Sequence, residues 1–174
     1  MTGFSFYEGY MSHSEIIDLS ETQDSQCSNW AEYPHEATGG TGGLVGGTPI
    51  ICGGIASIGY DLVYDNGCYS IVGHSAEFVT NISIGRYEAS SVVLNEEVLW
   101  IVGGKDQASN VLSSTEYVTL EGSNPGPDMP TPLYDHVIIG INSTYSILVG
   151  GAVVDWGDGG HQVSYSFCLM LFLD

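Results

Sequence analysis

Val92-Val-Leu-Asn-Glu-Glu-Val-Leu-Trp-Ile-Val-Gly-Gly104 is the stretch from which the fold can be read. Two short apolar runs, Val92–Leu94 and Val98–Val102, flank a polar turn at Asn95–Glu97, and a glycine pair closes the unit. Apolar runs of this length bounded by turn signals suit strands covered on both faces. The glycines supply backbone freedom and close approach that a Cβ would forbid. The same unit returns at Leu44–Gly54 and at Val137–Gly151, with glycine pairs at Gly53–Gly54, Gly103–Gly104 and Gly150–Gly151. A period of about 47 residues marks a repeat architecture.

Working outward, each glycine pair is followed 13 to 15 residues later by a third strand pattern carrying Tyr69, Tyr117 or Tyr165. At the start of the chain the same pattern is Glu15-Ile-Ile-Asp-Leu19. A fourth element follows, Cys27–Trp30 and Glu77–Val79, with the proline-rich Ser123–Pro130 in the next copy, where an edge strand or loop is expected. Arg86–Ser90 and Leu133–Val137 lead into the next first strands, in register 47 residues apart. No segment sustains helical i, i+3, i+4 spacing, so helix is expected to be scarce. Trp100, Ile101, Ile51, Leu148 and Val149 lie in runs without polar alternation and are expected to be buried.

These features resemble the kelch repeat, in which apolar residues run into Gly-Gly and are followed by a spaced Tyr and Trp. The matching positions are Gly53, Gly54, Gly103, Gly104, Gly150 and Gly151, with Tyr69 and Tyr117 for the tyrosine. Trp30 and Phe78 stand where the tryptophan falls, and Arg86 matches the arginine before the first strand. The resemblance implies an all-β chain: a kelch-type β-propeller fragment of four-stranded antiparallel blades. Its expected parts are a half blade at 1–35, blades at 36–82 and 83–130, and an incomplete blade at 131–174. It departs from the pattern where the third copy lacks the fourth-strand aromatic. The Cys168–Asp174 tail is apolar where a polar loop is expected.

Composition narrows the partners. With 21 acidic and two basic residues the chain carries a formal charge of −19. Phosphate binding needs Lys and Arg, so nucleic acid and anionic membrane surfaces are excluded as partners. A basic protein partner fits that charge. The apolar tail Phe167–Leu173 is too short to span a bilayer, and Met1-Thr-Gly-Phe4 does not begin a leader pattern. Asn81-Ile-Ser83 and Asn142-Ser-Thr144 match the glycosylation acceptor pattern. Cys27, Cys52, Cys68 and Cys168 form no metal-binding spacing and read as buried reduced thiols, with one disulfide involving Cys27 or Cys68 as the alternative.

No residue is assigned a catalytic, cofactor-binding or metal role. Asp155, Asp158 and His161 share a glycine-rich loop, where calcium is conceivable, yet the spacing matches no established loop pattern. His136, two residues before an apolar run, is expected to pack against its neighbours, and Glu96–Glu97 read as solvated turn carboxylates. The expectation is therefore a non-catalytic scaffold that offers loops to a protein partner and meets further blades or copies of itself at its ends. The alternatives are the propeller of a secreted galactose-oxidase-like enzyme and an acidic, calcium-associated adhesion module. Cellular location is left open.

Overall fold

Strands, and no helix, occupy the described residues of a computed structural model: 11–16, 28–58, 61–142, 145–155, 161–164 and 168–172, with side chains placed for 31–58, 61–142 and 145–153. In chain order they begin with β1 (Met11–Ile16), β2 (Ser28–Thr38), β3 (Thr41–Val45), β4 (Thr48–Cys52), β5 (Ile55–Ile58) and β6 (Asp61–Tyr64). There follow β7 (Gly67–Val72), β8 (Ser75–Asn81), β9 (Ser90–Leu94), β10 (Val98–Val102) and β11 (Thr115–Thr119). The last are β12 (Gly122–Pro125), β13 (Tyr134–Gly140), β14 (Tyr145–Asp155), β15 (His161–Ser164) and β16 (Cys168–Phe172).

Three units are built from these strands, antiparallel throughout except where β2 meets β8 in parallel at Glu32 and Ser75. The first is the meander β3-β4-β7-β8, extended by β2, β5, β6 and β1 into one larger sheet; the second is β9-β10-β11-β12; the third joins β13, β14, β15 and β16. Tight turns set the hairpin registers. Gly46 and Gly47, at φ 55° and 78°, join β3 to β4, and Asn95 and Glu96, at 50° and 64°, join β9 to β10. Left-handed residues at both central positions match the right-handed twist of the flanking strands. Gly53–Gly54 and Gly103–Gly104 follow the ends of β4 and β10, Gly150–Gly151 lies within β14, and the φ values of the three pairs repeat: 68° and 101°, 62° and 93°, 73° and 101°.

The first strands lie side by side. Thr41 Oγ1 and Ser91 Oγ share a hydrogen bond of 2.7 Å, and Ser91 also donates to the Gly42 carbonyl at 3.0 Å, tying β3 to β9. Ser90 Oγ donates to the carbonyl of His136, tying β9 to β13. Because the side-chain period is two, β10 sends alternate residues to opposite faces. Leu99 and Ile101 join Val45, Ile50, Cys52, Cys68, Ile82 and Val118 in the cluster between the first and second units. Trp100 and Val102 join Met129, Leu133, Ile138 and Leu148 between the second and third.

Several expectations need correction. Trp100, Ile101 and Leu148 are buried, but Val149 is exposed on the outward face of the third unit, and Ile51 is only half-buried on the outward face of the first, beside Tyr69, where Tyr33 of β2 packs. In the third unit the strand opposite β14 is β16: Val149 pairs with Cys168 as Cys52 pairs with Cys68. The apolar tail is thus a third strand, and Val163 lies in a β14–β15 hairpin that extends beyond Gly151. An equivalent hairpin, β5–β6, follows Gly54, and it escaped the sequence reading. Tyr69 pairs with Ile51 whereas Tyr117 pairs with Trp100, one register step apart relative to the glycine pairs. Their side chains therefore point to opposite faces, and the residue in register with Tyr69 is Glu116, opposite Ile101. Residues 35 and 36 both lie inside β2, so no strand ends between them. Cys52 and Cys68 form a disulfide. Directly opposite residues in a narrow antiparallel pair bring their Cα atoms this close, here 4.1 Å apart.

Candidate functional site

The chain's two basic side chains are both engaged within the fold. Arg86 precedes β9 and is almost completely buried. Its Nη1 donates to the carbonyls of Gly103 at 3.1 Å and Ser114 at 2.8 Å, Nη2 to Ser114 Oγ at 3.1 Å, and Nε to the Ile84 carbonyl at 3.3 Å. Burial lowers its pKa and the charge of Glu116 works against that shift. Arg86 is thus a strut between the linking segment and the glycine-pair end of the second unit. Lys105 Nζ sits 2.9 Å from Glu88 Oε2 and 3.4 Å from the centroid of the Tyr134 ring. Burial pulls its pKa down, but the hydrogen bond and charge of Glu88, with Tyr134 and Tyr87, outweigh it and the net shift is upward.

Glu116, buried in β11, accepts hydrogen bonds from Ser83 N at 3.1 Å and Ser83 Oγ at 2.6 Å. It was legible only as a third-strand residue, since its partner lies 33 positions earlier. His136 is buried between the glycine pairs of the second and third units, its Cε1 3.0 Å from where a Gly103 Cβ would stand. Burial pushes its pKa down to about 4, with the Val102 backbone opposing weakly and outside hydrogen-bond geometry, so the ring is neutral near pH 7.

Above these buried groups, the loops of the glycine-pair end enclose an open groove of about 540 Å³, lined by Tyr64, Ile84, Gly85, Asp106, Gln107 and Ala108. Tyr64 arrives on β6 and packs against Tyr87 with the ring centroids 5.5 Å apart and the planes tilted by 54°. Asp106 fixes its own loop: Oδ1 accepts from Ala108 N at 2.8 Å and Asn110 N at 2.9 Å, and Oδ2 accepts from Asn110 Nδ2 at 2.9 Å. Slight burial opposes ionisation there, but these hydrogen bonds outweigh it and lower the pKa. The groove therefore joins an aromatic wall, an apolar floor at Ile84 and a fixed anionic rim. A long side chain with an apolar stem and a cationic head fits that set.

A second groove of about 520 Å³ runs along β2 and β5, lined by Glu32, Tyr33, Pro34, His35, Glu36, Ser57 and Ile58. Tyr33 packs edge-on against Tyr69 at 5.0 Å, and burial first, then Asp65 and Tyr69, raise its pKa.

The repeat positions do not converge on either groove. Gly53, Gly54, Gly103 and Gly104 follow the ends of β4 and β10, Gly150 and Gly151 lie within β14, Arg86 is internal, and Tyr117 packs on Trp100 at 6.0 Å. Phe78 on β8 is largely exposed beside Tyr69, 5.9 Å away. Trp30 belongs to β2, but its side chain lies outside the described residues, as do Asp158 and the side chains of Asp155 and His161. Among the described residues no three His, Cys, Asp or Glu side chains gather as a cation site. Neither a protein-family model nor a curated protein sequence matches the chain.

Proposed function

We propose that the chain is a non-catalytic protein-binding scaffold of kelch-type blades, part of a propeller, that holds a basic segment of a protein partner at its glycine-pair end. The propeller reading is supported by three units with the same glycine-pair conformation, stacked face to face with their first strands adjacent. A single blade cannot cover its own faces, and radial stacking does so. The observation that carries the binding role is the engagement of Arg86 and Lys105 inside the fold, beside a groove walled by Tyr64 and rimmed by Asp106. With 21 acidic residues against these two cations, the surface field favours a cationic ligand. The Cys52–Cys68 disulfide favours an oxidising compartment for that role.

The test uses labelled peptides of equal length, one rich in Lys and Arg with interspersed aromatics and one rich in Glu. The basic peptide is expected to bind the protein, and Ala108→Arg on the groove rim is expected to weaken it at least about tenfold, the effect of about 1.4 kcal/mol. Leu120→Arg makes the same charge change at the opposite end of the second unit and is expected to leave affinity nearly unchanged. Equal effects of the two substitutions, or equal binding of both peptides, would overturn the assignment.

A further inference from the structure

We infer that Asn142, in the turn between β13 and β14, is a modification site: the acceptor of an N-linked oligosaccharide. This inference stands apart from the groove at the glycine-pair end and from any partner held there.

Two independent observations point to it. The first is the Cys52–Cys68 disulfide, buried in the cluster between the first and second units. Disulfides persist in secretory and extracellular compartments, and the secretory route is where Asn-x-Ser/Thr segments meet the enzyme that glycosylates them. The second is the different way the fold treats the two acceptor patterns, Asn81-Ile-Ser83 and Asn142-Ser-Thr144.

Asn81 ends β8 and is exposed, but the rest of its pattern is built into the junction between units. Its carbonyl accepts from Ser123 Oγ of β12 at 2.8 Å. Ile82 is 1% exposed, and its N–H donates to the Asn66 carbonyl at 2.8 Å. Ser83 gives its N–H and its hydroxyl to buried Glu116, at 3.1 Å and 2.6 Å. The glycosylating enzyme reads the hydroxyl of the third residue, which is why the pattern requires Ser or Thr. Releasing that hydroxyl leaves the Glu116 carboxylate buried without its donors, so the pattern stays closed while the fold persists.

Asn142 stands in the opposite situation. It is exposed at a hairpin turn, and Ser143 and Thr144 lie outside the described residues. Ile141 N and Asn142 N both donate to the Tyr145 carbonyl, at 2.9 Å and 3.3 Å, and Tyr145 N donates to Asn142 Oδ1 at 2.9 Å. Glycosylation joins the sugar to Nδ2 and keeps the amide carbonyl, so the modified residue retains that acceptor. In the transfer, Nδ2 attacks the anomeric carbon of an oligosaccharide carried on a lipid diphosphate. The new C–N bond forms as the C–O bond to the diphosphate breaks. Nδ2 gives up one proton, and the lipid diphosphate leaves with the bonding pair. Along β14, the strand from Tyr145 to Gly150 spans about 17 Å. The bulky, hydrated sugar therefore sits away from the glycine-pair end and leaves it uncovered.

Protein purified from its native source tests the site. Enzymatic deglycosylation in water enriched in heavy oxygen, followed by peptide mass spectrometry, is expected to convert Asn142 to labelled aspartate. Thr144→Ala, which keeps Asn142 but removes the acceptor pattern, is expected to abolish that label when expressed in the same cells. A second measurement uses the solubilised transferase with its lipid-linked donor. The folded, disulfide-intact chain is expected to accept sugar at Asn142 alone, and the reduced, alkylated and unfolded chain at both Asn81 and Asn142. Native Asn142 without sugar would overturn the inference, as would a label that persists in Thr144→Ala. So would a folded chain that refuses sugar at Asn142 or takes it equally at Asn81.

Discussion

Gly103 and Gly150 occupy the same place in successive repeats and share a left-handed φ, 62° and 73°. Alanine at either position meets the left-handed penalty of about 1–2 kcal/mol. At Gly103 the new Cβ also strikes the Leu133 carbonyl and comes within 2.9 Å of Met129 Cε, whereas at Gly150 it meets no atom within 4 Å among the described residues. Gly103→Ala is therefore expected to destabilise by clearly more than Gly150→Ala, by about 1–3 kcal/mol of overpacking. Urea unfolding of the two variants measures the difference, and equal losses would contradict it. His136 makes a prediction of its own. Its folded pKa of about 4 lies below the ordinary value of 6.5, so the unfolded chain takes up the proton first. The stability it contributes is complete above about pH 6.5 and is lost as pH falls towards 4, by up to about 3 kcal/mol. His136→Gln should flatten the stability profile over that window, and an unchanged slope would show that other groups set it.

At the scale of elements, the disulfide joins β4 to β7 across the hairpin insert and closes a loop with a sequence separation of 16. A cross-link of that span contributes about 3 kcal/mol by restricting the unfolded chain. The double substitution Cys52→Ala, Cys68→Ala is expected to lower stability by about 2–4 kcal/mol. Adding a reductant should lower the melting temperature of the native chain but not that of the variant. The same region shows what the sequence can and cannot reveal. Glycine pairs were readable because a left-handed backbone at a strand end leaves few other residues, and the β9–β10 hairpin because Asn95 tolerates positive φ. Third strands were not fixed by counting from the glycines. From the second glycine to the third-strand residue facing the one before the pair, the spacing is 14 to Cys68, 11 to Thr115 and 17 to Cys168. The inserted hairpins and the Asp106 loop change those spacings, and backbone pairing alone sets the register. The groove was illegible for a related reason. Tyr64 and Asp106 lie in different units and meet only through stacking of the sheets.

For the whole molecule, charge and core act at different ranges. The core is contiguous through β10, whose Leu99 and Ile101 belong to one cluster and whose Trp100 and Val102 belong to the other. Trp100→Ala should therefore cost about 3–5 kcal/mol. It should lower a single unfolding transition, because the second unit cannot lose one face and keep the other. Two separated transitions would mean that the units unfold independently.

Against that short-range packing stands a formal charge of −19, with Lys105 held by Glu88 and Arg86 buried, so few favourable surface pairs offset the repulsion among carboxylates. Self-repulsion of this kind favours the expanded chain, and it weakens as the screening length falls from about 30 Å at 0.01 M to about 3 Å at 1 M. The melting temperature should rise with sodium chloride over that range. Association would produce the same trend, so the measurement belongs under conditions where sedimentation finds the chain monomeric. A rise that persists there isolates intramolecular repulsion. A melting temperature that falls with salt would mean that pairs such as Lys105–Glu88 contribute more to the folded state than the accumulated negative charge removes.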